Sequence, residues 1–400
     1  MPKLSRSFSE DKGSQLLPCK IAIFPDRLLD DLKISLVPVS IEKYRLIPLP
    51  KILGMNHMSS ERTKVVIMAA GKGTRMKSGL AKVMHEVFFA PMLHHVLAAL
   101  APPLDLLAET VVVTGHQAAA VEASLVNFPV AFARQGQQLG TAHAVLAARS
   151  FYENFTGPVL ILCGDTPLIR SETLRRMLDD HHASGDCLTV MTTMMTDPTN
   201  YGRIISSSSG EILRIVEEKD ATSAERLICE INAGVYCVNA HFLREGLMAV
   251  DDKNRQREFY LTDLVAVARA GGQKVGRCLT TDCLEVLGVN SRLELVEAHR
   301  ELQARRNRQL LLDGVTIYGP ESVEISTGVK VGLDTVIDRG VKISGDSVIG
   351  CACRIGPQVF IHDCRIGDGV RVESFSFLEG CDISPGQTVT AGTIRRGGQA

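Results

Sequence analysis

Hydrophobic and polar positions divide the chain into stretches of different period. From about 63 to 290, short β-branched runs alternate with longer segments of helical spacing. Val65 to Ala69, Thr110 to Thr114, Val159 to Cys163 and Cys187 to Met191 are apolar on successive residues, as expected of strands covered on both faces. The segments between them are long enough for crossover helices, so an α/β domain with a mostly parallel sheet is expected. Ligands of such sheets sit beyond the carboxyl ends of the strands.

Residues 291–312 are charged, periodic and free of glycine and proline, which predicts a linker helix. Beyond it the period becomes six. Ile325, Val331, Ile337, Ile343, Ile349, Ile355 and Ile361 keep that spacing, the register slips by one, and it resumes at Ile366, Val372 and Leu378. No α-helix has this period, whereas a triangular left-handed parallel β-helix of hexapeptide repeats sets one aliphatic per short face into its core. Three or four coils are expected over 313–390, with 391–400 as a tail. So short a solenoid leaves a lateral face to cover, and a homotrimer is the natural closure. Residues 1–62 carry mixed charge, several prolines and no sustained period. They predict a poorly defined extension, with Met55 and Met58 as alternative starts.

Composition narrows the partners. With 44 basic and 45 acidic residues the chain has no footprint for nucleic acid or an anionic membrane. No run reaches the ~18 apolar residues of a membrane span. The 11 cysteines lack metal-ligand spacing and no cleavable leader is evident, so they read as apolar fillers of a cytoplasmic protein.

The candidate chemistry lies in the loops after the strands. Ala69-Ala70-Gly71-Lys72-Gly73-Thr74-Arg75-Met76 joins tight-turning glycines to two cations and a hydroxyl, and a helix beginning near Met76 would add its positive end. That is a phosphate cradle, although its spacing is neither the P-loop nor the dinucleotide fingerprint. Lys82 suits charge compensation in phosphoryl transfer, or a solvated surface. Asp165, in Gly164-Asp165-Thr166-Pro167, suits a hard divalent cation or a helix cap; Asn290 is the best second oxygen ligand, since Mg²⁺ accepts a sparse protein shell. Gln135 to Thr141 carries three glutamines able to read a base edge. Tyr201 to Ile204, Glu217 with Lys219 and Asp220, and Glu230 to Gly234 are polar loops that suit either sugar hydroxyls or hairpin turns.

In order along the chain, AAGKGTRM (Ala69 to Met76), AKVMH (Ala81 to His85), QQLGTAHA (Gln137 to Ala144), GDTPL (Gly164 to Leu168), YGRI, IVEEKDA (Ile215 to Ala221), EINAG, FYLTD (Phe259 to Asp263) and GVN give a specific match. Over about 63–380 the chain resembles the bacterial bifunctional N-acetylglucosamine-1-phosphate uridylyltransferase / glucosamine-1-phosphate acetyltransferase family. The resemblance implies a Rossmann-like nucleotidyltransferase domain and a Mg²⁺-dependent reaction of UTP with N-acetylglucosamine 1-phosphate. It implies that Arg75 and Lys82 contact phosphates and that Asp165 and Asn290 hold the metal. Ala69, Ala70, Gly71, Gly73, Lys82, Gln138, Gly140 and Thr141 would bind the nucleotide, and Gly202, Glu217, Asn232 and Asn290 the sugar.

Five positions depart from the commonest family form: Met68, Ala81, Ala142, Cys163 and Ala233 stand where leucine, proline, glycine, tyrosine and threonine are usual. Cys163 and Ala233 each remove a hydroxyl, which bears on sugar specificity more than on nucleotidyl transfer. The later coils and the histidine of the acetyltransferase site find no match, so uridylyl transfer alone is expected. Transfer of a UTP- or dTTP-derived nucleotide to another sugar 1-phosphate, the full bifunctional enzyme, and a non-catalytic sugar-nucleotide-binding assembly protein are the competing readings.

Overall fold

The computed structural model describes residues 62–397. The expected extension, apart from Arg62, and the last three residues of the expected tail lie outside the described residues.

The first strand, β1 (Lys64–Met68), shows how sequence builds the sheet. Val65 and Ile67 enter one hydrophobic core with Leu93, Leu97 and Leu174, while Val66 enters a second with Val145, Tyr152 and Leu243. Strand alternation thus puts neighbouring valines into different cores, and the run has no polar face to spare. Next come the two-residue strands β2 (Glu86–Val87) and β3 (Ala90–Pro91), helix α1 (Met92–Ala98), β4 (Thr110–Thr114), α2 (Ala118–Ser124) and β5 (Ala131–Arg134). Helices α3 (Thr141–Ala147) and α4 (Arg149–Tyr152) lead to β6 (Pro158–Cys163), α5 (Ser171–Ser184), β7 (Leu188–Met194), β8 (Arg203–Ser206), β9 (Ile212–Val216) and β10 (Glu230–Asn239). Helices α6 (Ala240–Ala249) and α7 (Asp263–Ala270) precede β11 (Val275–Thr280).

The main sheet has the order β11-β7-β10-β6-β1-β4-β5. Only β10 runs against its neighbours; the other six strands point one way. The hairpin β8–β9 hangs from β10. Met68 pairs with both Val113 and Cys163, so the loops after β1, β4 and β6 leave the sheet together at one edge.

Helix α8 (Arg292–Leu312) covers the expected linker. Its cap is Ser291, whose Oγ accepts from the Glu294 N–H at 3.3 Å, while the Glu294 carboxylate accepts the Asn290 N–H at 2.7 Å. Its buried amides have a use. Gln303 and Asn307 donate to the Val323 carbonyl at 2.9 and 2.8 Å, satisfying backbone at the start of the solenoid. On the opposite side Arg305 donates to the Leu168 carbonyl at 2.7 Å, so one helix grips both domains.

The solenoid has three parallel sheets of five, five and four short strands. It runs from Thr316 to Arg396, beyond the three or four coils expected, and Ile394–Arg396 of the expected tail is a strand. The in-register stack Ile325, Ile343, Ile361 and Leu378 is buried as the repeat predicted. The register slip is a shortened corner in which Asp363 adopts φ 50°. Cys353, Cys364 and Cys381 are buried in this core as the apolar fillers expected, whereas a second buried set, Val323, Val341 and Val359, was missed because buried polar residues such as Thr335 and Ser347 interrupt its period. Among the described residues no helix is long and apolar enough to cross a membrane.

Candidate active site

The loop after β1 turns at Gly73, whose φ of 61° lies in the left-handed region. A Cβ there would stand 2.5 Å from the Lys82 Cβ, so glycine serves both the turn and the close approach of Lys82. The helix expected near Met76 does not form. Thr74–Met76 is a single 3₁₀ turn ended by Lys77 at φ 48°, and the first α-helix waits until Met92. Side-chain charge and loop N–H groups, without a helix dipole, are what this loop offers an anion.

Lys82 opens another short turn, Lys82–Met84, positioned by a residue the sequence reading missed. Gln117, following β4, accepts the Ala81 N–H at 2.7 Å and donates to the Gly79 carbonyl. The strand-end rule that exposed Asp165 applies equally to the TGHQ segment after β4 and was the available signal.

Four expected residues meet around one ammonium. Lys82 Nζ donates to the Asp165 carboxylate and, at 2.6 Å, to Asn290 Oδ1, which also accepts from Arg75 Nη2 at 2.8 Å. Backbone fixes the meeting: the Val289 N–H donates to the Asp165 carbonyl at 2.9 Å, lacing the loop after β11 to the loop after β6. Two cations face one carboxylate, leaving positive charge for an anionic ligand.

The same locus passes a test for a divalent cation. Asp165 Oδ2 and Asn290 Oδ1 are hard oxygen donors already converging on a cation, the Lys82 ammonium. No group of three or more His, Cys, Asp or Glu suited to a metal occurs among the described residues. This sparse donor set fits Mg²⁺, which retains water and takes further oxygens from phosphates.

The cleft has a volume of about 780 Å³. Ala69, Ala70, Gly71, Gly73, Arg75, Lys82, Gln138, Gly140, Thr141, Asp165 and Asn290 all line it, together with Cys163 and Glu258. Gly140, at φ 119°, lies flat against the Phe259 backbone and admits no side chain there. The Ala142 N–H donates to the Phe259 carbonyl at 2.9 Å and Thr141 Oγ1 accepts the Leu261 N–H at 2.9 Å, so the FYLTD segment braces the start of α3. Gly115 was also missed. A Cβ on it would press on Ala70 and, at 2.8 Å, on the Gln138 amide, so its absence lets Gln138 approach the cradle.

Gly202, Glu217 and Asn232 form a separate group outside the lining of that cleft. Asn232 and Glu217 are the side chains nearest Gly202 after Ile215, and the Asn232 N–H donates to the Gly202 carbonyl at 2.8 Å. Asn232 already spends its amide on Gly234 N–H at 3.0 Å and Tyr236 Oη at 2.6 Å, bracing a bulge in β10. Burial raises the Glu217 carboxyl pKa, with the Thr262 hydroxyl bond at 3.1 Å opposing it. Cys163 joins the group to the cleft: its thiol donates to the Gly234 carbonyl at 3.4 Å. Burial first, then the negative Asp165, pushes this thiol up to about 12, so it stays protonated and unreactive near neutral pH.

Fold and cleft together define a nucleotidyltransferase carrying a hexapeptide-repeat solenoid. Residues 64–283 match the nucleotidyl transferase family and residues 346–380 the bacterial transferase hexapeptide (six repeats) family. The chain belongs to the bifunctional GlmU family. It is 46% identical over 328 residues to the bifunctional protein GlmU of Desulfotalea psychrophila, covering 82% of this chain and 96% of that one. It is 44% identical over 327 residues to that of Syntrophotalea carbinolica, covering 82% and 70%, and 48% identical over 291 residues to that of Geobacter metallireducens, covering 72% and 61%. The protein is therefore an enzyme, a sugar-1-phosphate nucleotidyltransferase, and membership implies a divalent-metal-dependent mechanism.

Proposed function

We propose that the enzyme converts UTP and N-acetylglucosamine 1-phosphate to UDP-N-acetylglucosamine and pyrophosphate. The observation carrying this reading is the convergence of Arg75, Lys82, Asp165 and Asn290 on one locus of a cleft whose other wall is rich in amides. A phosphate oxygen of the sugar phosphate attacks the α-phosphorus of UTP, the bond from that phosphorus to the β-phosphate bridge oxygen breaks, and pyrophosphate leaves. The substrate phosphate is itself the nucleophile, so the protein's work is alignment and charge compensation. Arg75 and Lys82 offset negative charge as it moves toward the leaving group. Gln138, Gly140 and Thr141 hold uracil, with Ala69, Ala70, Gly71 and Gly73 against the phosphates; Gly202, Glu217, Asn232 and Asn290 receive the sugar. Asp165 and Asn290 would hold Mg²⁺, which supplies further neutralisation of the triphosphate.

A second reading, another sugar 1-phosphate, is favoured by the sugar side. Cys163 commits its thiol to Gly234 and Ala233 has no hydroxyl, so two ways of gripping a sugar substituent are absent from those positions. Pyrophosphate release with UTP or dTTP and a panel of sugar 1-phosphates, with and without Mg²⁺, separates the two. N-acetylglucosamine 1-phosphate should be fastest, and equal or faster turnover of glucose 1-phosphate rejects it. Acetyl transfer is left out of the proposal. His362, the one described histidine of the coils, is engaged with Ser344 Oγ at 3.0 Å and Asp363 at 3.1 Å, and CoA release from acetyl-CoA with glucosamine 1-phosphate would restore that activity.

The reading assigns catalysis to 63–290 and assembly to the coils, in a cytoplasmic homotrimer. Support for assembly comes from an outward column on one solenoid face. Glu324 and Lys342 begin it and meet His299 and Phe89 of the same chain; Phe360, 44% exposed, half-buried Phe377 with Arg396 5.7 Å from its ring centre, and Ile394, 76% exposed, continue it. An apolar column of this kind suits a second subunit. By light scattering, Phe377→Asp should convert a trimer to monomer, and a wild-type monomer at micromolar concentration would reject the trimer.

A further inference from the structure

Next to the cleft lies an open hollow of about 700 Å³ bounded by Lys219, Arg226, Arg255, Gln256 and Glu258. Glu258 also lines the cleft, so the two spaces meet at that residue. Among the described residues the side chains of Lys219 and Arg255 make no hydrogen bond or ion pair and are exposed. Arg226 is partly neutralised by Glu218, 3.5 Å away, which is shared with the buried Arg203.

Hydrogen bonds of the backbone brace the loops that carry these cations. The Arg255 N–H donates to Asp220 Oδ1 at 3.0 Å, tying the loop that carries Arg255 to the turn that carries Lys219. Asn254 braces that loop internally: its Oδ1 accepts from the N–H groups of Gln256 and Glu258 at 3.1 and 3.2 Å, and its Nδ2 donates to the Glu258 carbonyl at 2.6 Å. Arg257 closes the turn at φ 52°. Two unpaired cations are thereby presented from separate braced loops across one hollow. Asp220 spends one oxygen on the Arg255 N–H, and Glu258 is the remaining acid at the rim.

We propose that this hollow is a second anion subsite, which holds a phosphate dianion at the mouth of the cleft through Lys219 and Arg255, with Arg226 in support. Both a sugar 1-phosphate arriving and pyrophosphate departing carry this chemistry, and a positive rim concentrates either one close to Lys82. The kinetic consequence rests on the transfer reaction proposed above; the binding itself does not.

The test uses the full chain and inorganic pyrophosphate in metal-free buffer of low ionic strength, read by calorimetry. Wild type should bind two equivalents, Lys82→Ala should retain the rim equivalent, and K219A/R255A should retain the cradle equivalent alone, with K219R/R255K restoring the second. Equal stoichiometry in wild type and K219A/R255A overturns the proposal, whether or not any sugar phosphate supports turnover. Kinetics then distinguish the source. A rise of about tenfold in KM for the sugar 1-phosphate, with kcat and the nucleotide KM within about twofold, assigns the subsite to the arriving substrate. A tenfold weaker product inhibition by pyrophosphate with unchanged KM assigns it to the leaving group.

Discussion

Asp165→Asn is expected to lower uridylyl transfer by about 10²–10³-fold, measured as pyrophosphate release at saturating substrates. The substitution keeps the shape of the side chain and removes its charge. Asp165 supplies the carboxylate that meets the Lys82 ammonium, and Asn290 links Lys82 to Arg75, so the asparagine leaves these two cations facing two neutral amides. Affinity for a hard divalent cation falls, and the Mg²⁺ concentration for half-maximal rate should rise together with the loss of kcat. Folding should suffer little. The Asp165 side chain is 22% exposed, and the Lys82 ammonium keeps Asn290, so a cost of about 1 kcal/mol in thermal unfolding is expected. Turnover within twofold of wild type would remove Asp165 from the metal role.

Lys82→Ala is expected to cost about 10²–10⁴-fold in kcat, with a smaller change in KM for the nucleotide. Its side chain packs against Gly73 and its ammonium bridges Asp165 and Asn290, so no neighbour can take its place. Arg75 donates to Asn290 and forms no ion pair with Asp165 among the described residues. Residues sharing one locus do not act independently, so the double variant Lys82→Ala, Asp165→Asn should be little slower than the slower single variant. Steady-state rates of the four proteins at one Mg²⁺ concentration give the coupling, and additive losses would show that the two side chains serve separate steps.

The sheet was legible because its strands are buried on both faces, which writes an unbroken apolar run into the sequence at Val65 to Ile67 and Val159 to Leu162. The solenoid was legible because each coil repeats one inward aliphatic per face. Its C-terminal extent was not, since the strand Ile394–Arg396 has no buried aliphatic to continue the period. The turn at Thr74–Met76 was misread as a helix start because a loop of glycines and cations has the composition of many helix-leading loops, and Lys77 in the left-handed region leaves no compositional sign. In the cleft, charged and amide residues declared themselves, whereas Gln117 and Gly115 act by holding a backbone or by making room. Such work depends on what lies across the fold, and a linear reading cannot see it.

The cap of α8 ties together parts that would otherwise be remote. Asn290 donates its N–H to Glu294, the helix from Arg292 to Leu312 holds the first coil through Gln303 and Asn307, and the side chain of Asn290 touches both Lys82 and Arg75. Loss of the coils would therefore release a helix whose first turn anchors a member of the reacting centre. Thermal inactivation should track melting of the repeat rather than that of the α/β sheet, giving the solenoid a thermostatic hold on a reaction it never touches.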